Sequence, residues 1–151
     1  MPTILQGDWF ELAADADLAL FTANSTITKY GRLVMGRGLA RQVRDRLHGV
    51  DWAIAQAIGR RSVYGVAIAG EPFHVGRAAV GAFQVKRFWG DAADTALIAH
   101  SVSCLNGFLT QQPTGYHVVL NYPGIGNGRL VVEQVAPLLE ALDDRVTVCY
   151  V

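Results

Sequence analysis

Residues Leu18-Ala19-Leu20-Phe21-Thr22-Ala23 form a continuous apolar run, the pattern of a strand covered on both faces rather than one with a wet side. Such a strand calls for helices above and below its sheet, and the chain supplies helical patterns between its strand-like runs. Thr3-Ile4-Leu5-Gln6 reads as a short first strand. Leu39, Val43 and Leu47 recur at helical spacing, so Gly38 to His48 is expected as an amphipathic helix, followed by a second over Val50 to Ile58. Val63 to Ala69 and Ala78 to Val85 read as strands joined by a turn containing Gly70, Glu71, Pro72 and Gly76. Asp94 is the expected N-cap of a helix running to about Leu109, with Leu97, Ser101, Cys104 and Phe108 facing inward. His117 to Asn121 reads as a buried strand, and Val131, Val135, Leu138 and Leu142 as a last helical stripe. Pro137 breaks that helix unless it lies in the first turn, which places the regular part from about Glu133. Arg145 to Val151 closes the chain as a strand. Strands alternating with helices predict a mainly parallel or mixed sheet with helices on both faces, and ligands over the carboxyl ends of its strands.

The chain has 151 residues, the size of one domain, and 51% of them are hydrophobic against 17% charged, a composition that folds rather than stays disordered. Formal net charge is zero, which argues against a general nucleic-acid binder. Cys104 and Cys149 are far apart and match no disulfide framework or zinc spacing, and His48, His74 and His117 form no metal set. No bound metal or cofactor is expected. No signal peptide and no run long enough to span a membrane is seen, so a cytoplasmic, monomeric protein is expected.

Two glycine-rich turns carry the chemistry: Gly31-Arg32-Leu33-Val34-Met35-Gly36-Arg37-Gly38 and Pro123-Gly124-Ile125-Gly126-Asn127-Gly128. Each follows a strand-like run and leads toward a helical pattern, so its backbone N–H groups and the helix dipole suit an anion. Two such turns suit a ligand with two negative centres, such as a pyrophosphate. Neither fits the phosphate-loop or dinucleotide fingerprint. Alternate glycines at 124, 126 and 128 let consecutive amides form a concave nest. Asp8 follows Gly7 at the end of the first strand, as either a carboxylate that accepts from an exocyclic amine or a surface turn aspartate. Trp9, Phe10, Phe88 and Trp89 are either a stacking face or core. Asn24 is either a sugar-binding amide or a turn residue bonded to its own backbone. Lys86 ends a strand on the same rim, as a phosphate partner, an amine nucleophile or a solvated side chain. Arg37, Arg41 and Arg44 read as a solvated helix face with an Arg41–Asp45 pair. His100 and Cys104 lie four apart, a conceivable nucleophile pair, but Cys104 belongs to the core stripe.

In their order, Gly7-Asp8, Asn24 with Val34-Met35-Gly36-Arg37-Gly38-Leu39-Ala40, Lys86, and Pro123 to Gly128 resemble a macrodomain, the module that binds ADP-ribose. The resemblance covers nearly the whole chain and is strongest to the branch of DNA-ADP-ribosyl antitoxins and terminal ADP-ribose glycohydrolases. Ala82-Phe83-Gln84-Val85-Lys86-Arg87-Phe88-Trp89 is similar to the small phage-type members. The resemblance implies one three-layer α/β/α domain over residues 1–151, with a mixed, mostly parallel central sheet. It implies that Asp8 takes the adenine amine, with Trp9 beside it, and that Met35, Gly36, Arg37 and Gly38 hold the pyrophosphate. Pro123, Gly124, Ile125, Gly126, Asn127, Gly128 and Arg129 would wrap the diphosphate. Asn24 would touch the distal ribose and Lys86 attack its anomeric carbon. The implied partner is ADP-ribose or an ADP-ribosylated macromolecule, and the implied activity an ADP-ribosyl glycohydrolase. The alternatives are a non-catalytic module that reads or sequesters ADP-ribose or a related nucleotide, and an ADP-ribose 1″-phosphate phosphatase. The hydrolases of this branch carry an aspartate just after the second glycine turn. Here the turn runs Gly128-Arg129-Leu130-Val131, with no carboxylate before Glu133.

Overall fold

Strand β2 (Leu18–Ala23) has one half-buried residue, Thr22, and is otherwise buried. Its alternating side chains feed two separate cores, one on each face of the sheet, as the two-residue period of a strand requires. Ala19, Phe21 and Ala23 pack into one core and Leu18 and Leu20 into the other. The computed structural model describes residues 1–59 and 63–151. Within them β1 (Thr3–Gln6), β2, β3 (Val66–Val75), β4 (Ala78–Gln84), β5 (Val118–Asn121) and β6 (Val146–Tyr150) form one sheet. Its order is β1-β6-β5-β2-β4-β3. The pairs are parallel except β3 with β4. Helices α2 (Gly38–Arg46) and α3 (Val50–Ile58) cover the face with Phe21, through Val43, Val50 and Ile54. Helices α4 (Thr95–Leu109) and α5 (Val132–Leu139) cover the other, through Ile98, Leu105, Val135 and Leu139. This is the expected three-layer arrangement with a mixed, mostly parallel sheet.

Several local expectations are corrected. A short helix, α1 (Trp9–Ala13), follows β1, with the Asp8 carboxylate accepting from Glu11 N at 3.0 Å. Five residues are too few to show a helical stripe. Strand β3 runs on through Gly70 to Val75, its pairing with β4 shifting register between Ala69 and His74. A strand can carry Pro72 because β3 is an edge. In α4, Asp94 caps as expected, its carboxylate accepting from Ala96 N at 2.9 Å. The buried face is Leu97, Ile98, Ser101, Val102, Leu105 and Leu109, while Cys104 and Phe108 are half-buried flanks. In α5 the helix begins at Val132 and contains Pro137 beyond its first turn. Pro137 is tolerated on the exposed side near the helix end, where the carbonyl it leaves belongs to exposed Glu133. Val131 is exposed, and Leu139 takes the inward place instead.

The parallel strands end together, so the segments after β1, β2, β4, β5 and β6 gather at one end of the sheet. No described helix is long and apolar enough to cross a membrane.

Candidate functional site

At that end lies a cleft of about 1060 Å³. It is lined by Asp8 after β1, Asn24 after β2, Lys86 after β4, residues 34–38 of the first glycine turn, residues 124–128 of the second, and Tyr150 at the end of β6. Of the residues that the resemblance assigns to the ligand, Pro123 does not line it and is buried behind the second turn; of the candidate stacking aromatics, Phe10 and Phe88 lie outside the lining.

The two turns meet. A Cβ on Gly38 would stand 2.9 Å from Asn127 Nδ2, and Gly38 sits at φ +58°, a backbone conformation that favours glycine. Gly38 opens α2, and Arg37 before it provides no side-chain cap, which leaves the first-turn N–H groups of α2 facing the cleft. The second turn differs from expectation. Gly126–Gly128 form a 3-10 turn closed by Arg129 in the left-handed region, φ 62°. Helix α5 begins only at Val132, and its entry is tied by Gln134 Oε1, which accepts from Val131 N at 2.9 Å. This turn therefore offers an anion nest amides and no helix dipole.

Trp9 is 4% exposed and donates its indole N–H to Leu20 O at 2.9 Å, so it is cleft floor and core rather than an open stacking face. Phe10 packs edge-on against Trp9 and carries the Arg46 guanidinium 3.8 Å over its ring. Phe88 and Trp89 are half-exposed, and Trp89 lines the cleft mouth. Asn24 is buried at the strand end. Its Nδ2 donates to Val34 O at 3.0 Å and its Oδ1 accepts from Thr26 N at 2.9 Å. These bonds pin the first glycine loop and use one amide hydrogen and one lone pair, leaving one of each. Tyr64 supports the same point from below, donating its hydroxyl to Asn24 O at 2.8 Å. Burial pushes the Tyr64 hydroxyl far above its usual range, so it stays a donor. Tyr64→Phe is expected to cost about 1–3 kcal/mol in chemical denaturation by orphaning that buried carbonyl.

Lys86 Nζ donates to Asp91 O at 3.0 Å, and Arg129 Nη2 donates to Gly90 O at 2.8 Å. Both cations thus bracket one loop, Phe88 to Asp91. The Lys86 amine is held below its ordinary value, first by burial and then by the charges of Arg129 and Arg37; Asp91 opposes this. A larger share of neutral amine at neutral pH is what a nucleophilic lysine needs.

Sequence reasoning missed Asp91, Gln42, Asn121, Cys149 and Tyr150, all on the cleft wall. Asn121 locks the ends of β2 and β5 together, accepting from Thr22 N at 2.9 Å and donating to Thr22 Oγ1 at 3.0 Å. Its place at the end of a buried strand was the available signal. Burial and the Asp8 carboxylate push the Cys149 thiol up to about 11, which disfavours the thiolate that a nucleophile needs. Cys104 contacts His100 Nε2 at 3.4 Å beneath Gly65, outside the cleft, and burial raises its thiol too. Arg41 pairs with Asp45 at 3.8 Å, as expected. Among the described residues no three His, Cys, Asp or Glu side chains gather as a metal set.

This architecture recurs in solved structures. The chain matches Thermosipho africanus DarTG in complex with ADP-ribose at 20% identity and TM-score 0.73 over 97% of its length, and spans 41% of that chain. It matches the macrodomain of Mycobacterium tuberculosis DarG at 24% identity and TM-score 0.70, covering 99% of this chain and 97% of that one. The macrodomain of Thermus aquaticus DarG matches at 23% identity and TM-score 0.71, covering 100% and 98%. No protein-family model and no curated protein matches the chain. The fold is the macrodomain fold, in the form seen in the DarG macrodomains.

Proposed function

We propose that the cleft binds ADP-ribose and that the chain removes ADP-ribose from a macromolecule through Lys86. The observation that carries this reading is the Lys86 amine, lowered in basicity, on the wall of a cleft built from two adjoining amide-rich glycine turns. The first-turn amides of α2 and the 126–128 nest take the diphosphate. Asp8 accepts from the adenine amine, and the free hydrogen and lone pair of Asn24 meet the distal ribose. Lys86 then faces the anomeric carbon. The fold relative from Thermosipho africanus was solved with ADP-ribose bound, which is consistent with the size of this cleft. Calorimetric titration with ADP-ribose, followed by turnover assays on ADP-ribosylated DNA and protein, tests binding and catalysis separately.

Asp8 has a second duty that shapes its test. Because it caps α1, an alanine there would mix lost binding with a lost cap. Asp8→Asn keeps an accepting oxygen for the cap and removes the charge. It is expected to weaken ADP-ribose by about 1–3 kcal/mol, as for a charge-assisted hydrogen bond, with little change in melting temperature. Equal binding of the inosine analogue to the unaltered chain would count against the adenine assignment.

A specific observation favours a second reading, a module that binds ADP-ribose without hydrolysing it. The residue after Gly128 is Arg129, held to Gly90 O, where a carboxylate would otherwise assist release from the lysine. Tight ADP-ribose binding with no turnover on either substrate would establish that reading.

A further inference from the structure

We propose that Asp91 is the general base that frees ADP-ribose from Lys86, in place of a carboxylate at the end of the second glycine turn. This rests on the hydrolase reading above. Lys86 Nζ bonds the backbone oxygen of Asp91 itself at 3.0 Å, so the residue carrying this carboxylate stands at the amine. Among the described residues lining the cleft, Asp8 and Asp91 are the only ones with carboxylate side chains. Asp8 follows β1 and Lys86 follows β4, with β6, β5 and β2 between them. At about 4.8 Å per strand, Asp8 lies roughly 19 Å away across the sheet and is committed to the α1 cap.

The Asp91 carboxylate is unoccupied. Among the described residues no cation pairs with it and no donor is bonded to it, and it is exposed, so water reaches it. Its position is nonetheless set. Asp91 N donates to Phe88 O at 3.1 Å, closing the loop as a turn, and Ala93 N donates to Gly128 O at 2.8 Å. Trp89 N donates to Thr26 Oγ1 at 3.0 Å, and Arg129 holds Gly90 O. The loop is thereby tied to the segment after β2 and to the second glycine turn. That Asp91 acts electrostatically on Lys86 is consistent with this placement.

The balance is as follows. The lone pair of neutral Lys86 forms the N–C1″ bond while the bond from C1″ to the target breaks; the target leaves with those electrons and with the proton the lysine sheds. Water then gives a proton to Asp91 as its oxygen bonds C1″. The C1″–N bond breaks with its electrons on nitrogen, and the proton passes from Asp91 to Lys86. One water is consumed, and ADP-ribose and the unmodified target are released.

The test compares Asp91→Asn with the unaltered chain on an ADP-ribosylated substrate, reading kcat, KM, the pH profile and the mass of the acid-quenched chain. The expected result is a fall in kcat of about a hundredfold or more with KM little changed. A covalent adduct on Lys86 accumulates. Asp91→Glu restores part of the rate, and Asp91→Ser repeats the loss should Asp91→Asn melt early. If Asp91 were only an ionic neighbour, removing its charge would leave more neutral Lys86, and turnover at neutral pH would hold or rise. That outcome overturns the proposal and leaves the hydrolase reading standing. An unaltered chain that binds ADP-ribose but turns over nothing overturns the hydrolase reading, and the base with it.

Discussion

Lys86→Ala is expected to lower turnover of ADP-ribosylated substrate by on the order of a thousandfold or more, as loss of an attacking nucleophile does. ADP-ribose affinity is expected to stay within a few-fold, because the amides proposed for the diphosphate lie on the two glycine turns. The amine now bonds a backbone carbonyl, so its removal leaves no buried carboxylate unpaired and the fold should persist. In the unaltered chain the rate should rise with pH as Lys86 loses its proton. It should level off below the ordinary lysine range, since burial, Arg129 and Arg37 all favour the neutral form. Steady-state kinetics across pH, with calorimetry on both chains, measures each part. Normal turnover in Lys86→Ala would make the lysine a phosphate partner or a bystander.

The second large effect is expected at Gly36. A valine there should reduce ADP-ribose affinity by about a hundredfold or more, near 2.8 kcal/mol, without lowering the melting temperature. Gly36 lines the cleft, nothing stands within 4 Å of an added Cβ, and its φ is not positive. The new side chain would enter open cleft with no backbone strain. The other glycines are poorer probes. Gly126 also faces open space but sits at φ +71°, where a β-branched residue is strained. At Gly124 an added Cβ would stand 2.9 Å from Leu130 Cδ1, and at Gly128 3.0 Å from Ala93 Cβ. Isothermal titration and a thermal melt on Gly36→Val separate blocking from unfolding, and unchanged affinity in the folded variant would remove the first turn from the site.

Much of this site was legible because its parts are local. A run such as Leu18 to Ala23 announces a doubly covered strand by itself, and Asp94 before an apolar helix announces a cap. Glycines at alternate positions imply a backbone that approaches something closely, and Lys86 at a strand end implies a place on the rim. Helix α1 escaped notice because five residues cannot show a period, and Pro137 misled because helix entry depends on neighbours beyond the local rule.

The meanings of the same residues were decided only by the tertiary structure. Sequence allowed Trp9 as a stacking face or as core, and its bond to Leu20 O made it core. Asn24 could bind a sugar or pin its own loop; it pins the loop and keeps part of its amide free. The lowered basicity of Lys86 comes first from burial and then from Arg129 and Arg37, distant in the chain and brought to one cleft by the strand order β1-β6-β5-β2-β4-β3. Asp91 and Tyr150 joined the site by the same route. The physical reason is range. Periodicity, caps and turns are written in a few neighbouring residues, whereas strand order follows from burying both faces of the whole sheet, and a pKa follows from whatever that burial brings within reach.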